Sequence, residues 1–256
     1  MPARQPLTAA RTAAALLGAS LCVGQVLPAH ADGVSITSYG HSALLIKSKS
    51  QAVLVNPFKA VGCAQGLKEP RVAATVILAS SELPDEGARI ASGTFLATAG
   101  SYRVGGLNLE GIAAPHDRVN GRRYGQSTLW RWQQGGLSFV HLGGTAASLS
   151  DDDIVLLGRP DVLILGVGGG GKVYDGPEAA AVIQALNPRR VIPVQYVNGP
   201  APAGCDQGGI QPFLDALAAG ITVQRVGTTL TLPSKLNSSG LDSSELNSTT
   251  VVDVMR

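Results

Sequence analysis

The sequence predicts a mixed α/β fold in which β-sheets are covered by helices. Three observations carry that expectation. The first half is a succession of short alternating or apolar runs broken by glycine and polar turns, and the second half alternates β-like runs with capped helical stretches. In addition, 45% of the 256 residues are hydrophobic and only 15% are charged, enough to bury a large core and too little charge for a disordered chain. The 32 glycines follow no G-x-y period, which excludes collagen and fits a loop-rich fold.

Taken in order, Val34–Ser38, Ala43–Lys47 and Ala52–Val55 read as strands between polar turns. The unbroken apolar run Val72–Ala79 suits a buried strand. Asp85–Ala91 reads as a short helix and Leu107–Ala114 as a strand. Ser127–Trp132 and Leu137–His141 flank Gln133–Gly136 as the arms of a hairpin, with Trp130 and Trp132 on one face. Ser150 can cap a helix over Asp151–Leu157, whose acids face the positive end of its dipole. Asp161–Leu165 is the next buried strand, and Pro177 opens a helix through Leu186. Val191–Val194 then reads as a strand, Gln211–Ala219 as a helix and Ile221–Leu232 as a closing β-hairpin. Residues 234–256 are serine-rich with little apolar periodicity, so the folded domain is expected over 32–233 and a disordered tail over 234–256.

Residues 1–31 have the layout of a secretory signal peptide. Arg4 and Arg11 give a positive n-region, Thr12–Leu27 an apolar core, and Ala29-His30-Ala31 small residues at a cleavage site before Asp32. The protein is therefore expected to be exported, to periplasm, internal lumen or medium, without stable membrane insertion after cleavage. Cleavage removes two arginines and no acid, leaving 18 basic and 18 acidic side chains. That balance argues against nucleic acid as a partner. A small molecule remains the expected ligand class, and the oligomeric state is open. Cys22 and His30 leave with the leader, so two cysteines and three histidines remain. In an exported chain Cys63 and Cys205 are expected to form a disulfide, two buried thiols being the alternative.

Gly166–Lys172 fits G-x-x-x-x-G-K after a strand, but Val173 stands where a phosphate loop needs a magnesium-binding hydroxyl. The following helix also begins too late to face a phosphate held by Lys172. A glycine-rich loop bordering a pocket, with Gly169 and Gly170 in its wall, is the better reading.

A resemblance runs through most of the remaining chain. Ser35–Ile46 contains Gly40-His41-Ser42-Ala43, and Ala52–Val55 leads into Asn56-Pro57-Phe58. Later come Leu137-Ser-Phe-Val-His141-Leu-Gly-Gly-Thr145 and Arg190-Val-Ile-Pro-Val-Gln195-Tyr196. In order and spacing these resemble the metallo-β-lactamase-fold hydrolases, nearest the branch of ascorbate-6-phosphate lactonase-like proteins. The resemblance implies a four-layer αββα sandwich with a metal site between the sheet edges.

The ligand positions are where the chain departs from that family. Its T-H-x-H-x-D-H motif falls on Ala79–Asp85, where Ser80, Glu82, Pro84 and Asp85 stand for the ligands. The bridging Asp of H-x-G-D becomes Gly144, the last His becomes Gln195, and the Asp of D-P-F becomes Asn56; only His116 matches a family ligand. Independently of that alignment, a two-zinc site of this kind needs about five imidazoles. Only His41, His116 and His141 are left, so a complete His-rich site is arithmetically excluded.

The expectation is a pseudoenzyme or small-ligand-binding protein without cofactor, its pocket lined by His41, Asn56, His116, His141, Gly144, Gln195, Gly169 and Gly170. The alternative is a metal-dependent hydrolase of an ester, lactone or phosphoester. Its reduced site would hold zinc or another divalent metal through Glu82, Asp85 and His116, three ligands being sufficient for a catalytic ion. By the resemblance, Cys63 and Cys205 lie on loops at the rim of that site.

Overall fold

The computed structural model describes Met1, residues 33–236 and residues 250–256; the expected leader, save Met1, lies outside the described residues. The strands in chain order are β1 (Val34–Ser38), β2 (Leu44–Lys47), β3 (Ala52–Val55), β4 (Ala73–Leu78), β5 (Ser92–Leu96), β6 (Gly100–Val104), β7 (Leu107–Pro115), β8 (Gln126–Gln134) and β9 (Leu137–His141). Helix α1 (Asp151–Leu157) is followed by β10 (Val162–Gly166), α2 (Gly176–Leu186), β11 (Arg190–Val194) and α3 (Gln211–Ala216). Strands β12 (Thr222–Arg225), β13 (Thr229–Leu232) and β14 (Val251–Val254) complete the chain.

These strands make two mixed sheets, as the predicted sandwich requires. The first has the order β13-β1-β2-β3-β4-β5 and the second β12-β14-β11-β10-β9-β8-β7-β6. Period-two alternation decides which residue fills which layer. In β10, Val162 and Ile164 enter the core between the sheets, whereas Leu163 and Leu165 face the helices. The inter-sheet core joins Ile36, Ile46, Val53 and Leu78 to Trp130, Trp132 and Phe139, with Trp132 stacked on Phe139 at 5.1 Å. The two tryptophans thus face one side of β8, into the core.

Helices α1, α2 and α3 cover the outer face of the second sheet through Leu157, Ala179, Ile183 and Phe213. Both longer helices start as the sequence requires. Ser150 and Asp175 each close a reciprocal capping box, with Asp153 and Glu178 respectively. No α-helix covers the outer face of the first sheet among the described residues. There Leu45, Leu54 and Ile77 pack against Val72, Ala91 and Phe95.

Three local expectations are corrected. Asp85–Ala91 forms a tight turn, not a helix: the Leu83 carbonyl accepts from both Glu86 and Gly87. Gly87 is also pressed against the Ser81 carbonyl, where a Cβ would lie 1.7 Å from the oxygen. Ile221–Leu232 is not a hairpin, because β12 joins the second sheet and β13 the first. The tail is not disordered to its end. Val251–Val254 forms β14, inserted parallel between β12 and β11, while 237–249 lie outside the described residues.

Strand β14 carries only four residues, so its anchorage matters. Asp253 is fully buried and takes a two-pronged contact from Arg190 at 2.7 and 2.5 Å, with Gln224 donating to the same carboxylate. Removing that carboxylate strands a guanidinium with little access to water. Asp253→Ala is therefore expected to lower the unfolding free energy by about 3 kcal/mol or more in urea denaturation. It should also deprotect the amides of β14 and β12 to hydrogen exchange before those of β9 and β10.

Candidate functional site

One edge of the sandwich gathers the ends of strands from both sheets. The first sheet contributes His41 between β1 and β2, Asn56 after β3, and Ser80 and Ser81 after β4. The second contributes His116 after β7, His141 ending β9, Gly143 and Gly144 beyond it, and Gln195 after β11. Of the five non-glycine residues at positive φ among the described residues, three are His41 (47°), Asn56 (41°) and Gln195 (51°). Left-handed backbone at such side chains costs about 1 kcal/mol or more each, so strain is concentrated at this edge.

At its centre is a residue the sequence reading missed. Glu86 is wholly buried, and its Oε1 lies 2.9 Å from Nε2 of the equally buried His116, although the ring N–H is not aimed along the contact. Ser81 donates to the same oxygen at 2.6 Å, and Gln195 donates to Oε2 at 3.0 Å. Burial pushes the Glu86 carboxyl up, but the His116 contact and charge, aided by Lys172 and Ser81, outweigh it and hold the group at about 2. Lys172 is itself paired with Asp85 at 2.5 Å. Burial lowers the lysine, yet the Glu86 and Asp85 charges more than offset this and raise it.

Gly144 explains why the carboxylate fits. A Cβ built there would lie 2.0 Å from Glu86 Oε2 and 2.8 Å from His116 Nε2. The room that any side chain at 144 needs is thus occupied by Glu86. Next to it, Asn56 and Ser80 hold each other: Asn56 Nδ2 donates to Ser80 Oγ and the Ser80 amide donates to Asn56 Oδ1, both at 2.8 Å. The Gly144 amide donates to that same hydroxyl at 3.2 Å.

The other expected residues fall as follows. His141 is wholly buried, and burial lowers it to about 4 against a partial pull upward from Glu86. His41 is lowered by burial as well, against partial upward pulls from Asp85 and Glu86, and its ring stands edge-on to Phe58. Gly168 abuts the Gln195 carbonyl, and the Gly171 amide donates to Asp206 at 2.9 Å. Gly169 and Gly170 are both in the left-handed region, and Gly170 is pressed against Asp206. The glycine loop is therefore closed on a carboxylate where a phosphate loop would be open. Cys63 and Cys205 are joined by a disulfide.

Two expectations are corrected here. Glu82 does not approach His116: its side chain is 64% exposed and pairs with Arg89. With Asp85 committed to Lys172, the set Glu82, Asp85 and His116 is not assembled, and no three His, Cys, Asp or Glu side chains converge on a metal position among the described residues. Nor do the expected pocket residues line an open cleft, since Asn56, His116, His141 and Gln195 are all fully buried. Glu86 escaped notice because the family motif has no ligand at that offset and the local pattern read as a helix. The donor set now present, with a glycine at 144, amides at 56 and 195 and a hydroxyl at 80, does not fit a two-metal centre.

Several buried polar atoms nevertheless lack hydrogen-bond partners: both ring nitrogens of His116 and His141, Nε2 of His41 and Oε1 of Gln195. Buried polar groups of this kind are costly in a low-dielectric site. A carboxylate held at about 2 is also a weak general base at neutral pH, so it does not activate Ser81.

Comparison with known proteins agrees with the architecture. Residues 35–195 match the family described as Beta-lactamase superfamily domain, a span that includes every member of the buried cluster. No curated protein matches the chain. Among solved structures, a Zn-dependent hydrolase, provisionally so assigned, of the metallo-β-lactamase superfamily from Thermotoga maritima superposes with TM-score 0.64 at 21% identity, covering 87% of this chain and 100% of that one. A provisionally assigned metal-dependent hydrolase from Parabacteroides distasonis gives TM-score 0.53 at 15% identity over 73% of this chain and 89% of its own. CmlA, a diiron β-hydroxylase from Streptomyces venezuelae, gives 0.54 at 15% identity over 79% of this chain and 54% of its own. At these identities the likeness is one of fold.

The cluster makes stability sensitive to acid in a defined way. Glu86 and His141 both titrate below their unfolded values, so each contributes stability above its unfolded value that is lost as pH falls through its folded value. The unfolding free energy is expected to be level above about pH 7 and to fall between about pH 6.5 and 4 through His141, with His41 acting in the same direction. A second fall, between about pH 4.5 and 2, belongs to Glu86, each being of order 3 kcal/mol. Glu86→Gln should abolish the second fall and keep the first, as read by urea denaturation across pH.

Proposed function

Because the chain belongs to the beta-lactamase superfamily, we propose that it keeps the two-sheet scaffold of metallo-β-lactamase-fold hydrolases without their two-metal centre, and serves as an exported small-ligand-binding pseudoenzyme. The observation that carries this reading is the Glu86 carboxylate lying where a side chain at position 144 would have to stand. An internal acid, neutralised by His116 and by donors from Ser81 and Gln195, takes the place of the bridging acid and its cations. The order of the G-H-S-A, N-P-F and P-V-Q-Y segments supports a place near the lactonase-like branch, with degenerate ligand motifs. The leader-like residues 1–31 and the disulfide support export.

The residues present are engaged with one another, which supports a loss of hydrolytic chemistry at this edge. Glu86 and His116 set the field of a sealed, water-poor edge. Asn56 and Ser80 lock two strand ends together, and Lys172 balances Asp85.

A second reading, a metal-dependent hydrolase with a reduced site, draws on Nδ1 of His116 and the ring nitrogens of His141, which have no hydrogen-bond partner and are of a type that binds zinc well. Metal analysis separates the two. The processed protein is expected to carry no stoichiometric zinc, manganese or iron, and to melt at the same temperature with and without chelator. Stoichiometric metal that disappears in His116→Ala would overturn the proposal.

The steric exclusion has its own test. Gly144→Ala should cost about 2 kcal/mol or more, because the new methyl meets a buried carboxylate. In a Glu86→Ser background the same substitution should cost much less, a coupling that a double-mutant cycle reads directly.

A further inference from the structure

Two loops that leave the site edge carry the same tripeptide: Val119-Asn120-Gly121, between β7 and β8, and Val197-Asn198-Gly199, between β11 and α3. Asparagine is a thermolabile residue, and a glycine after it has no Cβ to shield its amide nitrogen from the carboxamide. Both asparagines are exposed, so neither sequence nor access to water distinguishes them. What surrounds the following amide does.

The Gly121 amide is committed. It donates to Asp117 Oδ1 at 3.0 Å, and the same carboxylate takes the amides of Val119, Arg123 and Tyr124. The Gly121 carbonyl accepts from the Gly125 amide at 2.8 Å. A Cβ built on Gly121 would lie 2.6 Å from the Gly125 oxygen, so the turn is tightly packed as well. Its nitrogen cannot reach the Asn120 carboxamide without first leaving Asp117. At Gly199 these restraints are missing. Among the described residues its amide has no acceptor and the Asn198 carboxamide no hydrogen-bond partner. A Cβ built on Gly199 meets no heavy atom within 4 Å. The residue stands at φ 105°, where glycine moves freely. The loop is anchored on either side of this pair, by the Val197 amide on the Gly208 carbonyl at 2.8 Å and by the Cys63–Cys205 disulfide.

We propose that Asn198 is a site of spontaneous, backbone-assisted deamidation, and that Asn120, in the same tripeptide, is protected by the Asp117 carboxylate. The Gly199 amide nitrogen gives its proton to solvent and forms a bond to Asn198 Cγ. The Cγ–Nδ2 bond breaks, ammonia leaves with a proton taken from water, and a five-membered succinimide remains. Water then opens either carbonyl of that ring, to aspartate or to isoaspartate. In sum one water is consumed and one ammonia released, with no oxidation or reduction. Asn198 also borders a cavity of about 210 Å³ whose wall includes His41 and Arg256. Conversion thus adds an acid to the rim of that cavity after the chain has folded.

The test incubates the full folded chain, disulfide intact, at mildly alkaline pH. Peptide mapping by mass spectrometry then separates asparagine, succinimide, aspartate and isoaspartate at the two positions. Residue 198 should convert at least about tenfold faster than residue 120, because releasing the Gly121 amide costs the worth of one hydrogen bond. In urea the two should convert at similar rates, since the shared tripeptide alone then sets the rate. Asp117→Ala should raise the rate at residue 120 and leave that at residue 198 unchanged; where that variant does not fold, the comparison with urea decides. Equal rates in the folded chain overturn the proposal, as does faster conversion at residue 120 or an advantage of residue 198 that persists undiminished in urea. So does a residue 198 that stays intact in the folded chain while converting in urea. A rate at residue 120 indifferent to Asp117→Ala in a folded variant overturns the assigned protection.

Discussion

A carboxylate with no access to water is the constraint around which this edge of the sandwich is arranged. Transferring Glu86 into the interior costs several kcal/mol unless its charge and lone pairs are met. The His116 ring, 2.9 Å away, meets the charge, and Ser81 and Gln195 donate to the lone pairs, from three different strand ends. Each partner has a supporting requirement of its own. The His116 amide and carbonyl are tied to Gly125 and Ala146, and the loop after it is wound around Asp117, whose carboxylate accepts amides from Val119, Gly121, Arg123 and Tyr124. Gln195 holds a left-handed backbone and donates its amide to His41. Gly144 must lack a side chain altogether. The glycine is a consequence of the buried acid, and neither is intelligible without the other.

Much of the fold was legible because it rests on local rules. Period-two alternation in β8 and β10, the capping boxes of α1 and α2, and the apolar run of β4 each state their structure within a few residues. The elements that were missed lack such signals. Strands β5 and β6 are short, partly exposed and glycine-containing, and β14 is set by a buried ion pair to residues more than sixty positions upstream. The false hairpin shows the same limit. β12 and β13 are adjacent in sequence and each reads as a strand, but no local feature says that the chain changes sheet between them.

The site was legible by position more than by content. Strand-end motifs placed His41, Asn56, His116, His141, Gly144 and Gln195 at one edge, and the structure brings them there. What it holds them for depends on Glu86, which sits one residue past the aligned segment in a turn where helix and turn look alike. A reading built on ligand positions asks which donors are absent. It is poorly suited to noticing an acid that has arrived from elsewhere.

An ionic cluster at this edge needs a reason, since apolar residues of the same volume often serve a buried position as well or better. The backbone provides one. Three strand ends turn here through left-handed residues, and such turns expose amides and carbonyls that an apolar filling would leave unmet. Asn56 and Ser80 accept the Ser80 and Gly144 amides, but in doing so they bring more polar atoms into the interior, as does Gln195, and these in turn favour a charged partner over a hydrocarbon one. On this view the polar chemistry follows from the way the sandwich ends its strands. The same scaffold accepts a cation where acids and imidazoles line the edge, and a carboxylate where amides and hydroxyls have replaced them.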